Sequence, residues 1–187
     1  MDPSRFQDVS IDLETLGTTS RSAFVTIGAC KFNAKTGDVD TDNTFYRRID
    51  WGSATAGRAI SADTLHWWTK QQADALREIT QSGGAMMRDV LNDFTEWLPN
   101  KCRPWGNGAT FDVGMVEDAY NQYRIKIPWD FWNIRDMRTV VDMGRWLGMD
   151  PKKIKREGTH HNALDDALHQ AKVIGLMQKT ILKRAGT

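Results

Sequence analysis

Residues 8–14, Asp-Val-Ser-Ile-Asp-Leu-Glu, alternate polar and apolar with a period of two. That is the pattern of a β-strand with one face against a core. Strand side chains alternate sides, so Asp12 and Glu14 project together. Two carboxylates at the end of an otherwise apolar strand repel each other. At about 4 Å and an effective dielectric of about 20 the cost is about 4 kcal/mol. A fold built around this strand must bring a cationic partner to that end or leave the end in water.

The segments that follow set the fold class. A turn-rich stretch at 17–20 leads to a second strand, Phe24–Phe32, rich in β-branched and aromatic residues. Residues 36–38 read as a hairpin turn, and Thr44–Ile49 as a third strand. Helices then take over. Ser61 reads as the N-cap of a short helix carrying Leu65, Trp67 and Trp68. Val90, Leu91, Phe94, Trp97 and Leu98 recur at helical spacing until Pro99 ends the helix. Arg103–Trp105 is a short strand, Phe111–Tyr123 a helix, and Phe131–Ile134 the last strand. Asp136 caps a helix that runs to Leu147 and stops at Gly148 and Pro151; the final helix spans about 162–183. No repeat or linker divides the 187 residues. One domain over 1–187 is expected, of α/β class, with a mixed five-stranded sheet and helices on both faces.

Composition narrows the function. Lys+Arg is 25 against Asp+Glu 24, a net charge of +1. This excludes a polybasic protein that grips nucleic acid by bulk charge but leaves room for a local basic groove. No apolar run reaches the ~20 residues of a membrane-spanning helix. Met1–Asp8 carries acids and lacks the apolar core of a secretory signal. Cys30 and Cys102 have no CxxC partner and read as reduced thiols. A cytoplasmic protein is expected. Eight tryptophans are more than a core of this size needs, which leaves some for a binding surface.

Two further segments carry acids in suggestive places. Asp112 ends Trp105-Gly106-Asn107-Gly108-Ala109-Thr110-Phe111-Asp112, where a strand enters a Gly-rich turn and a helix begins. His160-His161-Asn162-Ala163-Leu164-Asp165-Asp166-Ala167 opens the last helix. Taken singly, each fits a plainer role: a solvated strand end, a capping acid, a surface helix start. Taken together and in this order, they resemble the DEDDh exonucleases, the DnaQ-like branch of the ribonuclease H-like superfamily. The resemblance covers roughly residues 8–180 and is closest to small stand-alone phage and bacterial members.

The resemblance implies a ribonuclease H-like fold and a 3′–5′ exonuclease. Such an enzyme hydrolyses phosphodiesters at single-stranded DNA or RNA 3′ ends and releases nucleoside 5′-monophosphates. DNA is the favoured substrate and exoribonuclease activity the alternative. A catalytically silent nucleic-acid-binding protein would have lost one of the acids, and a phosphohydrolase of free nucleotides is a third option. Two divalent cations, Mg²⁺ or Mn²⁺, are implied, held by Asp12, Glu14, Asp112 and Asp166. No cysteine lies near these motifs, and all-oxygen ligands suit hard cations. His161 is implied as general base, with His160 as its rival and Asp165 the rival of Asp166. Thr15, Leu16 and Gly17 would line the terminal-nucleotide pocket, with Leu16 as a wedge. Trp105 and Phe111 would stack bases. Asn107 belongs to the same motif, although it stands five residues before Asp112 where many members have four. The basic run Lys152–Arg156 would draw phosphates or remain a solvated loop. His66 and His169 read as ordinary helix residues. Oligomeric state is open, a homodimer included.

Overall fold

The computed structural model describes residues 6–81 and 83–186; of the Met1–Asp8 segment that lacks the apolar core of a secretory signal, residues 1–5 lie outside them. Five strands, β1 (Asp8–Thr15), β2 (Phe24–Phe32), β3 (Val39–Arg48), β4 (Arg103–Gly106) and β5 (Arg135–Asp136), form one sheet in the order β3-β2-β1-β4-β5. The meander β1–β2–β3 is antiparallel, whereas β4 and β5 join parallel to β1. The helices are α1 (Trp51–Thr55), α2 (Ala62–Trp68), α3 (Ala73–Thr80), α4 (Met87–Trp97), α5 (Asp112–Gln122), α6 (Met137–Trp146) and α7 (Ala163–Ala185).

Alternation along β1 explains the two layers. Val9, Ile11 and Leu13 face the larger core with residues of α3, α4 and α5. On the other face α6 and α7 pack a second core around Phe32, Trp105 and Ile174. Asp8, Ser10, Asp12 and Glu14 share that second side. At its far end Asp8 accepts hydrogen bonds from Arg103 (2.9 and 2.8 Å), from the Trp105 indole (2.9 Å) and from the Ala34 N–H (3.1 Å). Asp12 and Glu14 look toward the start of α7.

Gly28 lets α7 come that close. It pairs with Asp12 across β1 and β2. A Cβ there would stand 2.2 Å from the Ala163 carbonyl carbon and 2.3 Å from the Leu164 nitrogen. These are backbone atoms, which cannot swing aside. Gly28→Ala is therefore expected to push the start of α7 off the sheet, with the ~1–3 kcal/mol loss typical of overpacking and a weakened site. Thermal melts against wild type check this, and an unchanged melting temperature would contradict the close approach.

The last strand is displaced from its expected place. Phe131–Asn133 forms a 3-10 turn, and the strand is Arg135–Asp136. Phe131 and Trp132 are 78% and 62% exposed, so their strand-forming tendency finds no sheet face to pack on. The third strand begins at Val39 rather than Thr44, past an irregularity in pairing between Cys30 and Lys31. Its early residues, Thr41–Asn43, are exposed polar side chains and give no alternation to read. Cys30 and Cys102 are buried free thiols. Among the described residues no helix is long and apolar enough to cross a membrane.

Candidate active site

The ends of β1 and β4, the first turns of α2, α6 and α7, and the loop 151–161 enclose a cleft of about 770 Å³. Asp12, Glu14, Asp112, Asp166 and His161 all line it. One carboxylate oxygen each from Asp12, Glu14 and Asp166 lie within 4.8 Å of one another. Asp112 begins α5, and its carboxylate accepts the Asn107 N–H at 3.1 Å.

Burial and crowding raise the proton affinity of Asp12, Glu14 and Asp112. Asp12 is held well above the usual carboxylate range, first by burial and then by the charges of Asp112, Glu14 and Asp166. Glu14 is pushed up to about 8, by burial and then by Asp166, Glu78 and Asp112. Burial lifts Asp112 to about 7 against the lowering pull of the Asn107 N–H. The Glu14 Oε1 atom is buried with no hydrogen-bond partner among the described residues. Crowded, electron-rich oxygens with an orphaned lone pair fit a hard divalent cation.

Groups whose folded pKa is raised hold protons that the unfolded chain releases. Their stabilising contribution is full below the ordinary carboxylate pKa and fades as pH rises through about 7 to 8. Metal-free protein is therefore expected to melt at progressively lower temperature from about pH 5 to about pH 8. Mn²⁺ should raise the melting point most at the upper end, because ligands must be deprotonated to bind. A flat profile with no metal-dependent gain would contradict the cluster's role.

His161 sits just before α7. Its backbone N–H donates to the Asp166 carboxylate at 3.2 Å, and Asn162 caps the helix by accepting from the Leu164 and Asp165 N–H groups. The imidazole is flanked edge-on by Trp67 (5.0 Å between centroids) and Trp68 (5.7 Å). Burial, followed by the neighbouring His160, lowers its pKa. Ser61 caps α2 as expected. Trp68 is the buried member of the tryptophan pair, its indole N–H donating to the Thr15 carbonyl at 2.9 Å, while Trp67 is 42% exposed and lines the cleft.

Thr15, Asn107 and Phe111 also line the cleft; Leu16, Gly17 and Trp105 do not. The pairing of β1 shifts register between Glu14 and Thr15, and Leu16 is fully buried in the larger core. Its backbone is engaged with Ala23 and Ser61, so it offers no wedge. Gly17 is buried against Ser22. Trp105 is 3% exposed and packs on Phe32, which removes it from base stacking.

Sequence reasoning missed Gln170 and Arg138. Gln170 lies one turn beyond Asp166, is buried, and donates from Nε2 to Asp12 Oδ1 at 2.6 Å. Its i+4 spacing from Asp166 was the available signal. Arg138 lies in the first turn of α6 and donates to the Asn107 side chain at 3.3 Å. Asp136 fixes both ends of that contact, capping α6 at the Thr139 N–H and accepting the Ala109 N–H at 2.6 Å. His169, read as an ordinary helix residue, also lines the cleft. From the basic run, Lys152 and Arg156 line it, and Arg156 pairs with Asp166.

The mixed five-stranded sheet with its helices has the ribonuclease H-like fold seen in DEDDh nuclease structures. Residues 7–178 match the model of the Rv2179c-like 3′–5′ exoribonuclease domain, and the chain belongs to that family. An exodeoxyribonuclease of Enterobacteria phage T4 is 25% identical over 161 residues, spanning 72% of this chain and 70% of the phage protein. Among solved structures, S. pombe Pop2p in its Mg²⁺- and Mn²⁺-bound form matches with TM-score 0.65 at 15% identity, covering 96% of this chain and 85% of that one. The nuclease domain of 3′hExo, a DEDDh family member bound to rAMP, matches with TM-score 0.57 at 16% identity over 95% and 94%.

Proposed function

We propose that this member of the 3′–5′ exonuclease family is a divalent-metal-dependent enzyme that trims single-stranded 3′ ends to nucleoside 5′-monophosphates. The observation that carries the reading is the convergence of Asp12, Glu14 and Asp166 within 4.8 Å, on a cleft that also holds Asp112 and His161.

Asp12, Glu14, Asp112 and Asp166 would hold two Mg²⁺ or Mn²⁺ ions. Bound there, such ions supply charge stabilisation to the phosphate undergoing displacement. Gln170 fixes the rotamer of Asp12 by donating to one of its oxygens. A free ring nitrogen of His161 accepts the proton of the attacking water, and a pKa below the ordinary imidazole value keeps it unprotonated near neutrality. Arg138 and Lys152 offer cations to the incoming strand, Trp67 and Phe111 offer aromatic faces to its bases, and Thr15 and Asn107 offer polar contacts.

DNA is the first substrate to test, since the phage T4 relative is an exodeoxyribonuclease. Membership of a 3′–5′ exoribonuclease domain family supports RNA as the second. The test is a pair of matched 5′-labelled single-stranded DNA and RNA oligomers with Mg²⁺ or Mn²⁺. A ladder shortening from the 3′ end, stopped by a chelator, is expected. Cleavage of neither oligomer, or cleavage indifferent to chelator, would overturn the proposal. Shortening of RNA alone would replace the DNA preference.

A further inference from the structure

The exonuclease reading uses one of two adjacent histidines. Successive side chains normally diverge along an extended chain. Here the backbone at His161 turns through φ 64, a conformation that few non-glycine residues adopt. The His160 and His161 rings end 3.8 Å apart, tilted by 37°. One nitrogen from each and a carboxylate oxygen of Asp166 lie within 4.8 Å of one another. His160 is exposed, so solvent reaches the group directly.

This donor set differs in kind from the neighbouring carboxylates. Asp12, Glu14 and Asp166 present oxygen alone, which suits Mg²⁺ or Mn²⁺. Two imidazole nitrogens and one oxygen suit Zn²⁺ and its neighbours in the first transition row. Three protein ligands with a fourth position open is a familiar zinc arrangement. Asp166 belongs to both groups. Arg156 now pairs with it, so the local field already favours a cation there, and an arriving ion would displace the guanidinium.

We propose that His160, His161 and Asp166 form a site for a Zn²⁺-class cation, and that filling it switches the nuclease off. The ion would occupy the lone pair of His161 that the hydrolysis needs, together with an oxygen of Asp166. The binding half stands on the geometry alone; the inhibitory half rests on the proposed function.

The experiment titrates Zn²⁺, with Co²⁺ as a coloured reporter, into the full chain in excess Mg²⁺. His160→Ala is the test variant, and His66→Ala, altered at an exposed helix position outside the cleft, is the control. One equivalent of Zn²⁺ is expected to bind wild type and the control. His160→Ala should bind it more weakly by at least the ~10–100-fold that even supporting partners of a metal site carry. The ratio of rates with and without Zn²⁺ is read for each protein, so a change in basal rate cancels. Zn²⁺ should depress that ratio in wild type and far less in His160→Ala. Affinity unchanged by His160→Ala, or Zn²⁺ wholly displaced by Mg²⁺, would overturn the site. His160-dependent binding with no loss of rate would overturn the switch. His160-dependent binding in a protein that cleaves no oligomer under any metal would leave the site standing and contradict the exonuclease proposal instead.

Discussion

Asp12→Asn is expected to abolish cleavage while making the metal-free protein more stable. The amide keeps the shape of the carboxylate and can still face Gln170, but it lacks the charge needed to hold a cation among Glu14, Asp112 and Asp166. Metal stabilisation of a phosphoryl transition state is worth several kcal/mol, and about 4 kcal/mol is roughly a thousandfold in rate. A loss of at least that size is expected. The same substitution removes a carboxylate whose proton affinity is raised by burial and by three like-charged neighbours, so the melting temperature without metal should rise. The opposite signs separate loss of the site from damage to the fold. Persistent cleavage, or a fall in both activity and stability, would contradict this role for Asp12.

His161→Asn is expected to lower kcat by about 10²–10⁴, the usual contribution of a general base, with little change in KM. The ring does not belong to the Asp12–Glu14–Asp166 group, so Mn²⁺ affinity measured by calorimetry should stay near wild type. Asparagine also tolerates the left-handed backbone at this position, which limits the effect on folding. If His160 were the base instead, His160→Ala would carry this loss and His161→Asn would be nearly silent. Comparing kcat for the two variants decides between adjacent residues that sequence alone leaves as rivals.

The legible parts of this protein are those where local chemistry and tertiary position agree. Alternation in β1 placed Asp12 and Glu14 on one side, and they do line one cleft. The caps Ser61 and Asp136 each accept from the backbone N–H three residues on, so reading them needs no knowledge of the fold. The misreadings arise where long-range packing decides. Trp105 has the chemistry of a stacking residue, but its register partner is Ser10 and its indole N–H serves Asp8. Leu16 follows the acids directly, yet it lies fully buried in the larger core. Phe131 and Trp132 look like strand residues, although they pack on no sheet. Gln170 and Arg138 matter through partners 158 and 31 residues away, a relation that no window along the chain displays.

The most direct test is a crystal structure with Mn²⁺ and a single-stranded oligomer, with data collected to show anomalous scattering. The prediction is manganese density between Asp12, Glu14 and Asp166, with the 3′-terminal phosphodiester against it and His161 beside that phosphate. Manganese elsewhere on the protein, or a strand entering the cleft by its 5′ end, would contradict it.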